Sequence, residues 1–170
     1  MIHERAPPTV AAVGGSHQLT GRQRHQLDHL YVNTEYLDSH LFAFLQRIQA
    51  ATLEIKTIEG SINDCLTYLS PTTTTHLHLT VWHESDPALS TSAIASFVNL
   101  KSLSIDVIPV EDSFFATIAQ SLQSLETLTL GREFKLNGQH LLEALKLPHF
   151  SALRSIVLNL GKIDERDNFI

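Results

Sequence analysis

Leu100-Lys101-Ser102-Leu103-Ser104-Ile105 returns 25 residues later as Leu125-Glu126-Thr127-Leu128-Thr129-Leu130, and a chain that repeats an aliphatic triplet at such an interval is built from stacked units. With any aliphatic allowed in the three apolar slots, the template also fits Leu153-Arg154-Ser155-Ile156-Val157-Leu158 and, upstream, Leu27-Asp28-His29-Leu30-Tyr31-Val32. Two weaker copies fill the gap. Ala50 through Ile55 has Ala in the first slot, and Thr74 through Leu79 has Thr there. The fourth slot holds Leu30, Leu53, Leu77, Leu103, Leu128 and Ile156, with steps of 23, 24, 26, 25 and 28.

Each unit predicts a short strand at its second and third aliphatics, because alternate residues of a strand share a face. Leu30 and Val32, Leu53 and Ile55, Leu77 and Leu79, Leu103 and Ile105, Leu128 and Leu130, and Ile156 and Leu158 then point into one core. Behind the strands lie helical stripes. Leu37, Leu41, Phe44, Leu45 and Ile48 lay one apolar face on a helix of about four turns. Ile62, Cys65, Leu66 and Leu69 make a second, halted by Pro71. A third follows Pro87 through Ile94, Phe97 and Val98, with Ser90, Thr91 or Ser92 as N-cap. Phe114, Phe115, Ile118, Ala119 and Leu122 make a fourth, opened by Glu111 and Asp112 where acids favour the helix dipole. Leu141, Leu142 and Leu145 make a fifth, between Asn137-Gly138 and Pro148.

Strand and helix alternating at this period imply an α/β solenoid: about six parallel strands on the concave side, about five helices on the convex side, each unit burying its apolar face against its neighbours. The chain resembles a leucine-rich repeat protein over residues 27–160. The common form of that motif carries an Asn or Cys five residues after the second Leu. Here that slot holds Glu35, Ile58, Trp82, Ile108, Glu133 and Gly161, so no asparagine ladder forms. Irregular repeats without the ladder resemble those of intracellular leucine-rich repeat proteins, including fungal F-box-type proteins. That resemblance implies the substrate-recognition part of a ubiquitin ligase adaptor; an F-box itself is not recognisable in residues 1–26. Residues 1–23, with Pro7-Pro8 and Gly14-Gly15, read as a flexible N-terminal segment. The repeat domain is expected over residues 24–163 and a C-terminal tail over 164–170.

Composition narrows the function classes. A net charge of −6 with 12 Lys plus Arg, and no basic cluster, argues against nucleic acid. No span approaches the apolar length of a membrane helix, and no signal peptide is recognisable. One cysteine, Cys65, leaves no intramolecular disulfide and fits a reducing compartment, so a cytoplasmic or nuclear location is expected. Cys65 sits in an apolar stripe with no cationic neighbour, which predicts a buried hydrophobe in place of a reactive thiol.

On a solenoid the outward strand residues form the concave face, and its rows can be written down directly. One row is His29, Thr52, His76, Ser102, Thr127 and Ser155; the next is Tyr31, Glu54, His78, Ser104, Thr129 and Val157; the third is Asn33, Lys56, Thr80, Asp106, Gly131 and Asn159. From these rows Tyr31, Asn33, Glu54, Lys56, His76, His78, Thr80, Ser102, Ser104, Asp106, Thr127 and Thr129 are the candidate partner-binding residues. Their neutral hydrogen-bonding groups suit a protein partner. The alternative chemistry is a zinc-dependent or hydrolytic site using His76, His78 and Glu54. Against it, the sequence has no CxxC or HExxH spacing, no Gly-x-Ser-x-Gly elbow and no phosphate-cradling glycine loop, so no catalytic residue, metal or cofactor is expected. Trp82 is expected to pack in the slot of the missing Asn. A third reading is self-association through solenoid ends without caps, at the Ile156 to Leu160 strand.

Overall fold

The structure, a computed structural model, describes residues 9–13, 25–59, 61–81, 88–106, 110–111, 113–131, 143, 146 and 152–159. Among the described residues seven strands form one sheet in chain order: β1 (Thr9–Val13), β2 (His25–Tyr36), β3 (Ile48–Glu59), β4 (His76–Val81), β5 (Ser102–Asp106), β6 (Thr127–Leu130) and β7 (Ser155–Leu158). The six from β2 to β7 are all parallel, and β1 runs antiparallel on the outer edge of β2. Four helices stand among the described residues: α1 (Ser39–Leu45), α2 (Ile62–Tyr68), α3 (Thr91–Ala95) and α4 (Phe114–Ser121). The fifth expected helix at Leu141, Leu142 and Leu145, the slot of Trp82, the tail over 164–170 and most of the N-terminal segment lie outside the described residues.

The aliphatic triplets fold into this sheet because their alternation buries one side of each rung. Leu30, Val32, Leu53, Ile55, Leu77, Leu79, Leu103, Ile105, Leu128 and Leu130 are all buried and join Leu45, Ile62, Cys65, Leu66, Ile94, Phe97, Phe114 and Ile118 from the helix layer in a single core. Fully burying each such side chain is worth about 1.5–3 kcal/mol. The weak first slots have a local reason: Ala50 and Thr74 are buried there, and the Thr74 hydroxyl donates to the carbonyls of Ala50 (3.0 Å) and Ser70 (3.3 Å). A backbone ladder ties the starts of the rungs. Thr75 N–H donates to Ala51 O (2.8 Å), Lys101 N–H to Thr75 O (2.7 Å), Glu126 N–H to Lys101 O (2.8 Å) and Arg154 N–H to Glu126 O (2.9 Å).

The helices differ from expectation at their ends. α1 has 7 residues, capped by Asp38, whose carboxylate accepts from Leu41 N–H at 2.9 Å. Ile48 belongs to β3, and Phe44 is exposed while Leu45 is buried. The chain leaves the helix at Gln46 and Arg47 because Ile48 starts the strand that pairs with His25. Val98, expected on the stripe of α3, is exposed in the turn after it, whereas Phe97 is buried. Glu111 serves the start of α4 through its backbone carbonyl, which accepts from Phe114 N–H at 2.9 Å, and not through its side chain. Its carboxylate accepts from the backbone N–H of Thr91 (3.2 Å) and from the Thr91 hydroxyl, closing the N-terminus of α3 from the following unit. Asn63 of α2 does the same for the approach to α3, donating to Ala88 O (3.0 Å) and accepting from Ser90 N–H (2.8 Å).

The two ends of the sheet are unlike. β1 falls in the segment read as a flexible lead-in, so the structure adds a strand there and covers the β2 edge. At the other end Ile156 is half-buried and Val157 and Leu158 are 40% exposed, so the sixth rung does not bury its pair as the first five do.

Candidate functional site

The parallel register brings the outward residues into rows across the strands. His29 pairs with Thr52, Thr52 with His76, His76 with Ser102, Ser102 with Thr127 and Thr127 with Ser155. Beside it run Tyr31, Glu54, His78, Ser104, Thr129 and Val157, then Asn33, Lys56, Thr80 and Asp106. Neighbouring strands lie about 4.8 Å apart, so each row is a line of contiguous side chains on the sheet face opposite the helices. Gly131 extends the third row through its N–H, which donates to Ile105 O at 2.7 Å. A Cβ at Gly131 would lie 2.7 Å from the Cα of Asp106 and overlap its carboxylate, so Asp106 lies directly over this glycine.

The most charged part of the face is at β2 to β4. Lys56 Nζ donates to Glu54 Oε1 at 3.0 Å and sits 5.5 Å from the centre of the Tyr31 ring. The Glu54 hydrogen bond and charge raise the Lys56 ammonium above the ordinary lysine value, against a smaller opposing effect of burial. His29 Nε2 lies 4.0 Å from Glu54 Oε2, too far for a hydrogen bond, and has no hydrogen-bond partner among the described residues. Glu54 and Lys56 are two apart on one strand face, a spacing from which their pairing could have been read. His76 Nδ1 is 2.9 Å from the Thr75 hydroxyl, and His78 Nε2 is 3.2 Å from that of Thr80.

Of the expected contact residues, Thr80 is not at the surface. It is 3% exposed, and its hydroxyl holds His78. Asn33 and His76 are exposed; Tyr31, Glu54, Lys56, His78, Ser102, Ser104, Asp106, Thr127 and Thr129 are half-buried. His76, His78 and Glu54 do share the face, but Glu54 is committed to Lys56. Among the described residues no three His, Cys, Asp or Glu side chains come together to hold a metal ion. Cys65 is buried beneath the opposite face, and burial pushes its thiol up to about 12.

On the helix side a groove of about 430 Å³ opens between α2 and α3, with Asp64 as the one ionisable residue among the described residues of its lining. Its polar centre, Asn63, is already bonded to Ala88 and Ser90. The sheet face therefore holds most of the chemistry the described residues offer. No helix among them is long and apolar enough to cross a membrane. Comparison of the chain with protein-family models, with curated proteins and with solved structures finds no match.

Proposed function

We propose that the chain is a protein-interaction module of the leucine-rich-repeat type, binding a protein partner on its strand face as the concave side of a solenoid. Within that reading it is the substrate-recognition part of an F-box-type ubiquitin ligase adaptor, acting from the cytoplasm or nucleus. The observation that carries the reading is the register. Two rows of outward side chains run from β2 to β6, and a third from β2 to β5, while the buried aliphatics of the same strands face the helices. A broad face of Tyr, His, Ser and Thr offers many directional hydrogen bonds at low desolvation cost, which suits a polypeptide surface. In the three rows Lys56 is the one Lys or Arg, and it is paired with Glu54, which disfavours a phosphate ligand. Tyr31 is the aromatic anchor of the face, the residue type that most often dominates binding energy.

Affinity capture from the native cell tests the site. A protein retained by wild type and by the helix-side variant Phe44→Ala/Val98→Ala, but lost from a folded Tyr31→Ala/Glu54→Ala/His78→Ala/Asp106→Ala variant, is expected. Retention by that fourfold variant contradicts the assignment. The ubiquitin-ligase part is tested separately, by whether scaffold subunits of such a ligase co-purify with the chain; their absence removes that part alone.

A further inference from the structure

The groove between α2 and α3 is shaped before anything enters it. Asn63 of α2 is bonded to Ala88 O and Ser90 N–H on the approach to α3, and Glu111 closes the N-terminus of α3, so both walls are held. Its volume of about 430 Å³ falls within the range of ligand clefts, about 300–1,000 Å³. Leu66, Leu69 and Pro71 give it an apolar side. The hydroxyls along it have mostly spent their protons. Thr67 Oγ1 donates to Asp64 O at 2.7 Å, Ser96 Oγ donates to Ala93 O at 2.8 Å, and Ser90 and Ser92 share one proton between oxygens 2.9 Å apart. A hydroxyl has one proton and two lone pairs, so Thr67 and Ser96 can offer an incoming group acceptors alone. The ionised carboxylate of Asp64 is acceptor-only as well. It belongs to an exposed residue, and among the described residues no Lys, Arg or His pairs with it.

We propose that this groove takes a lysine or arginine side chain of a partner polypeptide, its cationic head at Asp64 and Thr67 and its stem along Leu66, Leu69 and Pro71. Such side chains lay their methylene stems on apolar surface while the charged head keeps polar neighbours. Other occupants fit worse. An anion would meet the Asp64 charge and a wall of lone pairs, and a wholly apolar side chain would strip water from the carboxylate and hydroxyls with no bond in exchange. The net charge of −6 adds a general attraction for a basic partner. The source is a polypeptide because the rim does not enclose a small molecule: Asp64, Thr67, Ser92 and Ser96 are all exposed, whereas small-ligand sites bury most of their ligand. A side chain reaching in from a larger surface is covered by that surface. The groove lies across the core from the strand rows, so this inference does not depend on a partner for the sheet face.

Nuclear magnetic resonance titration of the full chain tests it. The probe is the acetylated, amidated tripeptide Gly-Lys-Gly, and the control is the same peptide with norleucine in place of lysine, which keeps the stem and removes the charge. The lysine peptide is expected to shift the amides of Asp64, Thr67, Ser92 and Ser96 with a dissociation constant of about 1–10 mM, the scale of a single side-chain contact. The norleucine peptide is expected to bind at least fivefold more weakly, and so is the lysine peptide to Asp64→Asn. That variant leaves the Ser61 cap in place, since the cap uses the backbone N–H of Asp64. Equal affinity for the two peptides, equal affinity of variant and wild type, or no shift at these amides overturns the proposal. Salt needs no variant: raising NaCl from about 0.02 to 0.5 M is expected to weaken the lysine peptide at least threefold, and no change overturns the charge pairing. Pentylammonium binding more tightly than the lysine peptide would assign the groove to a small amine and overturn the polypeptide source.

Discussion

Single side chains do work in this chain that reaches beyond their own repeat. Glu111 closes the N-terminus of α3 from 20 residues away, and the hydrogen bonds from Thr91 lower its carboxyl pKa below the ordinary value of 4.5. A carboxylate favoured by the fold contributes stability above its unfolded pKa and loses it as pH falls through the folded one. Glu111→Gln is therefore expected to be less stable than wild type at pH 7 in urea unfolding, with the gap narrowing as pH drops below about 4.5. Gly131 is fixed by space. A Cβ there would press on the backbone of Asp106, so Gly131→Ala is expected to cost about 1–3 kcal/mol by the same measurement. Cys65, with its thiol raised to about 12 by burial, is expected to ignore a thiol reagent at pH 8 in the folded chain and to react fully in urea. The burial of Cys65 was legible from its place in an apolar stripe. The roles of Glu111 and Gly131 were not, because each depends on a neighbour one repeat away that no local spacing reveals.

Elements were most legible in their interiors and least at their boundaries. The strand pairs from Leu30 and Val32 to Leu128 and Leu130 stand where alternation places them, since a slip of one residue would turn every aliphatic to the opposite face. The end of α1 is ambiguous in the sequence because Leu45 and Ile48 fit a helical step equally well as a helix end followed by a strand start. The contrast is testable. Leu45→Ala is expected to cost about 2–5 kcal/mol, and Phe44→Ala less than about 1 kcal/mol; similar losses at both would restore the longer stripe. The same comparison separates a covered rung from the last one. Leu130→Ala falls in the larger class, whereas Leu158→Ala, at a position 40% exposed, falls in the smaller. β1 escaped the sequence reading because five small residues beside Pro and Gly carry too little periodicity to mark a strand, and its pairing with β2 is a property of the edge it covers.

At the scale of the molecule, six parallel rungs followed from the period alone, and with them the rows of the outer face. Periodic spacing fixes which residues are neighbours. It does not fix everything they do to one another, which is why the placement of the Lys56 ammonium by the Tyr31 ring and the burial of Thr80, whose hydroxyl meets His78, emerged only with side chains in place. Whether that face binds protein is the central claim, and site-specific photo-cross-linking in the native cell tests it most directly. A photoreactive phenylalanine is placed singly at Tyr31, His78 or Ser104 on the strand face, and at Phe44 or Val98 on the helix side. The account predicts cross-links to one and the same protein from the three strand-face positions and none to it from the other two. A partner trapped from Phe44 or Val98, with nothing trapped from Tyr31, His78 or Ser104, would contradict it.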